Sequence, residues 1–400
     1  MGNISTPKIR FPDFKGEWIN NSLGEIAKFS KGKGISKEDI SETGETECIR
    51  YGELYTTYNE TIDTVFSKTN IDTSHLVLSE ANDVIIPASG ETEVDIAKAS
   101  CILKSGIALG GDLNIIKTLN NGVFLSYYLN SKKKIDIAKL AQGISVVHLY
   151  AGQLSKLQLK IPSLLEQQKI ASFFTAIDMK ISQLKRKKNL LEQYKKGVMQ
   201  LIFSQEIRFK DDKGQEFPKW KEKKLEDLGS IRMCKRIFAN QTQKTGEVPF
   251  FKIGTIGNIA DAYISIDLFN EYKSRYNYPI KGQTLITCSG TIGKCVQFDG
   301  RDSYYQDSNI VWIDNTDKEV LDDFLYILLS NYKWGKLNST TITRIYTNDL
   351  KALKFKFPTK TEQIKIANFL SAIDVKINHT QKQIEKAEVW KKGLMQQMFV

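Results

Sequence analysis

The chain has 400 residues, 41% of them hydrophobic, which is room for two globular domains that each bury a core. No apolar run reaches the roughly 18–20 residues of a membrane span, and no secretory segment opens the chain, so a cytoplasmic protein is expected. Lysine and arginine number 57 against 46 acidic residues, a net charge of +11 that points first to nucleic acid as partner. The five cysteines (Cys48, Cys101, Cys234, Cys288, Cys295) form no C-x-x-C pair, which argues against a disulfide framework and a zinc site.

In chain order, residues 1–160 read as a strand-rich first module with a short lead-in. "DVIIPASG" (Asp83–Gly90) is a buried strand ending in a Ser-Gly turn, and "LNIIK" (Leu113–Lys117) is a second strand. "GVFLSYYLNS" follows as an apolar helix. Residues 161–206 form a central spacer helix, announced by Pro162. Its residues Ile170, Phe174, Ile177, Ile181 and Leu184 step by four, three, four and three, the rhythm of a coiled-coil seam. Residues 207–356 form the second module, with matching strands "QTLITCSG" and "SNIVWI" and the helix "LDDFLYILLS". Residues 357–400 form a C-terminal spacer helix in which Ile366, Leu370, Ile373, Ile377 and Ile384 keep the same rhythm.

The two spacer segments are one sequence written twice. "EQQKIASFFTAIDMKI" (Glu166–Ile181) returns as "EQIKIANFLSAIDVKI" (Glu362–Ile377), and at the same offset of 196 about 19 of 43 positions from Ile161 to Phe203 are identical. The openings align Trp18 with Trp220 and Leu23 with Leu225. The expected fold is therefore α+β: two mixed modules and two long helices pairing as an antiparallel coiled coil, in a tandem repeat with pseudo-twofold symmetry. A helix of roughly 55–60 Å is too long for one small domain to bury, so the other copy is its natural partner.

Catalytic constellations are hard to find. Three histidines (His75, His148, His379) lack metal-ligand spacing, and H-E-x-x-H, G-x-S-x-G and N/D-P-P-Y/F are absent. "GTIGKC" (Gly290–Cys295) lacks the length and the Ser/Thr of a phosphate loop; it is a hairpin turn or places Lys294 against a DNA phosphate. A chain that binds rather than catalyses is expected.

Basic and aromatic side chains in loops are the candidate DNA contacts, since Arg reads guanine and Lys or Tyr positions phosphates. In the first module these are Lys31, Lys33, Arg50 and Tyr51. In the second they are Lys235, Arg236, Arg275, Lys294, Arg301, Tyr304 and Tyr305. The loops "GISVVHLY" and "STTITRIY" repeat at 196 and add His148, Tyr150, Arg344 and Tyr346, which either approach DNA or fix each module on its helix.

The pattern Pro-x-x-x-Glu-Gln…Lys-Ile-Ala…Ile-Asp, present twice and followed each time by Lys-Lys-Gly-(Val/Leu)-Met-Gln, resembles the specificity subunits of type I restriction–modification systems. The resemblance covers essentially the whole chain. It implies that each module is a target-recognition domain for one half of a bipartite double-stranded DNA site. It implies that the helices space the modules and dock two methyltransferase subunits, which carry S-adenosylmethionine and methylate adenine N6. Two motor–nuclease subunits using ATP and Mg would complete a restriction complex. Two other readings stay open: a duplicated DNA-binding regulator acting alone, and an enzyme with an unrecognised active site.

Overall fold

The computed structural model describes residues 6–143, 146–315, 318–334 and 344–400; parts of the repeated loops, residues 144–145 and 339–343, lie outside them. Two helices dominate, Leu164–Phe203 (40 residues) and Lys360–Met398 (39 residues), here the first and second long helix. The chain divides into two compact units, Met1–Lys188 with His379–Val400, and Asn189–Asn378. Each unit thus holds one module, the start of the helix that follows it and the end of the other helix.

In the first unit a five-stranded sheet runs in the order Ala27–Lys31, Leu113–Thr118, Val84–Pro87, Ser100–Ile102, Thr61–Ile62. The two strands expected from "DVIIPASG" and "LNIIK" pair antiparallel, Ile85 opposite Ile115. Val84 to Pro87 are all buried, as a continuous apolar run requires when both faces are covered. A separate ribbon, Ile19–Ser22 against Gln158–Ile161, leads the chain into the first long helix.

The second unit repeats this plan with fewer strands: Ser230–Arg232, Ile310–Asp314, Thr284–Thr287, Cys295–Gln297. Leu285 stands opposite Trp312 and Ile286 opposite Val311. The ribbon recurs as Lys221–Lys224 against Lys354–Phe357.

The seam residues are buried apart from Ile377, which is half-buried, and each seam faces more than the other helix. Ile170, Phe174, Ile177 and Ile181 share a core with Phe124, Tyr127 and Tyr128 of the module and with Met398 and Phe399 from the end of the second long helix. The Phe399 ring lies 5.5 Å from Tyr128 and 5.7 Å from Phe174, both stacked. In the second unit Ile366, Leu370 and Ile373 share a core with Met199, Ile202 and Phe324, and Phe203 lies 5.9 Å from Phe324. The repeated "MQ…F" ending is therefore an aromatic plug for the opposite copy's module. Each aromatic pair adds roughly 0.5–1.5 kcal/mol beyond its buried area.

Candidate nucleic-acid interface

The repeated polar residues have specific partners. Glu166, in the first turn of its helix, is 1% exposed and receives both arms of Arg10, Nε and Nη2 each at 2.7 Å, with Trp18 Nε1 at 3.4 Å. Glu362 does the same with Arg208 (3.1 and 2.7 Å) and Trp220 (3.1 Å). Beside them, Gln167 Oε1 accepts from the backbone N–H of Asn121 at 2.9 Å, and Gln363 Oε1 from that of Leu321 at 2.7 Å. Asn121 and Leu321 are the N-caps of the module helices Gly122–Ser131 and Asp322–Ser330. Each glutamine also donates to the carbonyl of the proline five residues earlier. So Pro-x-x-x-Glu-Gln is a joint that fixes each module to its helix.

The "AID" and "KKG" motifs are likewise partners. Lys195 Nζ lies 2.6 Å from Asp374, and at the same offset Lys391 Nζ lies 2.8 Å from Asp178. In the first unit Lys185 also meets Glu388 at 2.7 Å, further along the first long helix and further back along the second, so the two helices run antiparallel there. In the first unit the pair is drawn further into the module: Lys391 also meets Glu60 at 2.9 Å, Lys98 meets Glu60 at 3.6 Å, and Tyr127 donates to Asp178. Burial pushes the Glu60 carboxyl up, but Lys98 and Lys391 outweigh it and hold it below its ordinary range. Burial and the Asp178 carboxylate push the Tyr127 phenol far up, so it stays a donor.

The candidate DNA contacts have partners of their own within the modules. Lys31 and Lys33 are exposed, and Lys31 Nζ sits 5.9 Å from the Tyr150 ring. Lys235 is exposed over Tyr276 at 5.1 Å. Arg236 pairs with Asp307 at 2.9 Å, Arg275 with Glu271 at 2.9 Å, and Arg301 with Asp299 at 2.5 Å, all as surface pairs. Arg50 caps a short helix beginning at Tyr51, and both are half-buried.

Three expected contacts are corrected. Tyr304 and Tyr305 form a strand pairing with Phe250–Phe251 and are 0% and 5% exposed, so they are core. Lys294 donates its ammonium to the carbonyl of Ile256 and follows a turn with Gly290 at φ +64 and Gly293 at φ +73, the hairpin alternative of the sequence. A side chain at Gly293 would run into the Trp334 ring, which settles why glycine stands there.

The seam residues are not a free docking face either: Ile170, Phe174, Ile366 and Leu370 are at most 2% exposed, and Ile177, Ile181, Leu184, Ile373 and Ile384 at most 9%. Sequence reasoning passed over what is exposed in both copies at the 196 offset. Met179 and Val375 are 57% and 64% exposed, and Tyr194 and Trp390 are 53% and 54%. Apolar residues at the same two exposed positions of each helix were the available signal.

The loops carrying His148 and Arg344 are matched in geometry. His148 bridges antiparallel to Ser89 and Arg344 to Ser289, each two residues beyond the end of the central strand.

The model of the type I restriction modification DNA specificity domain matches residues 15–193 and again 218–389, nearly nine-tenths of the chain. This chain belongs to the type I restriction–modification specificity family. Relatives agree. The Haemophilus influenzae specificity subunit S.HindORF215P is 51% identical over 154 residues, a stretch that is 38% of this chain and 40% of that protein. The MjaVIII specificity subunit of Methanocaldococcus jannaschii is 24% identical across 97% of this chain and 92% of its own. Among solved structures, a type I restriction–modification S subunit from M. genitalium matches with a TM-score of 0.63 at 15% identity, covering 99% of both chains. A chain from a study of type I restriction–modification complex assembly matches at 0.57 and 14% identity, covering 94% of this chain and 96% of its own. As a specificity subunit, the chain carries two DNA target-recognition modules. Among the described residues, no helix is long and apolar enough to cross a membrane.

Proposed function

We propose that each module reads one half of a bipartite DNA site, and that the long helices dock two methyltransferase subunits that methylate adenine N6. The observation that carries this reading is the contrast between frame and modules. The Glu166/Glu362 and Gln167/Gln363 joints and the Asp178–Lys391 and Asp374–Lys195 pairs recur at the same offset, while the loops between the strands share little. A frame duplicated with its contacts presents the same surface twice to two copies of one partner. Modules that differ present two different readings. The chain supplies recognition and no chemistry of its own. S-adenosylmethionine belongs to the methyltransferase partners, and ATP with Mg to the motor–nuclease subunits of a restriction complex.

Met179, Trp390, Val375 and Tyr194 are the docking residues in this account. Their exposed apolar surface is worth about 25 cal/mol per Å2 when a partner covers it, and aromatic anchors of this kind dominate interface energies. The double variant Met179→Asp, Trp390→Asp should lose one methyltransferase copy, giving an assembly of one partner per chain by mass measurement. The purified chain with its methyltransferase subunits and S-adenosylmethionine should transfer methyl groups to DNA that neither component modifies alone. A chain that binds its site but recruits no partner would instead be a solitary DNA-binding regulator.

A further inference from the structure

The modules differ in strand number and in most loops, yet one surface feature is the same in both. Beyond the Ser89 and Ser289 bridges, the Leu149 N–H donates to the Ala88 carbonyl at 2.9 Å, and the Ile345 N–H to the Cys288 carbonyl at 2.8 Å. In the first module these bonds belong to a small two-stranded sheet of its own, and in the second they adjoin an isolated bridge, each just past the central strand. Leu149 and Ile345 are 0% and 2% exposed. In an extended segment alternate side chains point to opposite sides, so the residues flanking each buried one face outward together. They do: Tyr150 and Tyr346 are 49% and 64% exposed, and His148 and Arg344 are half-buried beside them.

The outward residues form a pair in each case. The His148 and Tyr150 rings stack at 6.2 Å, and the Arg344 guanidinium sits 5.8 Å from the Tyr346 ring. Ser89 Oγ lies 3.5 Å from His148 Nδ1, which orients the ring. The buried leucine or isoleucine thus does the anchoring, and the flanking pair is left for another task. An elbow alone would not need a nitrogen donor and an exposed phenol.

Two modules that read different bases share only what the half-sites share, and chiefly that is the sugar–phosphate backbone. The residue types agree. Arg, His and Tyr all present N–H or O–H donors to phosphate oxygens, a common positioning contact. Bidentate reading of adenine in the major groove uses the amide of Asn or Gln instead, and neither pair has one. We propose that His148 with Tyr150, and Arg344 with Tyr346, are sequence-independent contacts to the DNA phosphodiester backbone, one pair per module. This rests on the modules being DNA readers, as proposed above.

The test uses the full chain assembled with its methyltransferase subunits. DNA affinity is measured across a salt series, and the methylated motif is read by long-read sequencing for unmodified, Arg344→Ala, Arg344→Lys and Tyr346→Phe complexes. Arg344→Ala should bind about tenfold more weakly at low salt. Its plot of log affinity against log salt should be shallower by about one, with the motif unchanged. Arg344→Lys should restore the slope, and Tyr346→Phe should weaken binding without altering it. A relaxed base in one half-site would make Arg344 a base reader and overturn the proposal. Affinity and slope equal to those of the unmodified complex would reduce the pair to an elbow and overturn it equally. If the unmodified complex leaves no methylated motif, the reading of the modules as DNA readers falls, and this inference with it.

Discussion

Replacing Glu166 by alanine should destabilise the first unit by about 3–5 kcal/mol, the usual cost of removing one partner from a buried ion pair. The carboxylate is 1% exposed and takes two parallel hydrogen bonds from Arg10 and a third from Trp18. Its place in the first turn of the long helix adds a favourable interaction with the helix N-terminus. Removing it strands a guanidinium that is 14% exposed and orphans the indole N–H. Denaturant unfolding of the full chain should show one transition shifted and the second unit's transition unmoved. The matched Glu362→Ala should do the reverse, because Arg208 and Trp220 play the same parts there. An Arg10→Ala, Glu166→Ala double variant should lose much less than the two single losses combined.

The lysines of the two "KKG" motifs should behave unequally although they are copies. Lys391 is 15% exposed, with Glu60 and Asp178 within 2.9 Å and the Tyr127 ring 5.0 Å away. Lys391→Ala leaves two carboxylates in the module–helix interface without their shared cation and should cost about 3–5 kcal/mol. Among the described residues Lys195 pairs with Asp374 alone, and the two side chains are 25% and 42% exposed. Lys195→Ala should therefore cost about 1 kcal/mol or less. The difference should also depend on pH. The Glu60 carboxyl is held below its ordinary value of 4.5, so its contribution is present above that pH and fades as pH falls through the lowered value. The Lys391 ammonium is pushed down by burial but raised overall by Glu60 and Asp178, so its contribution fades only as pH rises through a value above 10.5. The penalty of Lys391→Ala should accordingly shrink as pH falls through the lowered Glu60 value and be constant through neutrality. Equal penalties for the two lysines would show that the buried network adds nothing in the first unit.

Most of the frame was legible in the sequence because it is periodic and duplicated. The seam from Ile170 to Leu184 showed the helix, and "DVIIPASG" and "QTLITCSG" showed the central strands, whose side chains are buried on both faces. What periodicity could not show was the partner of each polar residue. Arg10 and Glu166 are 156 positions apart, and nothing local links them. The same holds for Glu60 and Lys391, 331 positions apart. The repetition of Glu-Gln, Ile-Asp and Lys-Lys-Gly did mark them as fixed points. Composition misled where tyrosine stood in for surface. Tyr304 and Tyr305 look like DNA contacts beside Arg301, but their strand is the parallel neighbour of Phe250–Phe251 and closes a core with Phe298 and Trp312. Lys294 looked free because the carbonyl of Ile256, 38 positions earlier, cannot be foreseen from its own turn.

The proposed role of this chain is to give a methyltransferase a two-part address. The most direct measurement is a long-read methylation map of a methylation-free host expressing this chain with its methyltransferase subunit. A split motif with N6-methyladenine in both halves, absent when this chain is omitted, is the predicted result. A continuous motif, or no new mark from a partner that is active with another specificity chain, would contradict it.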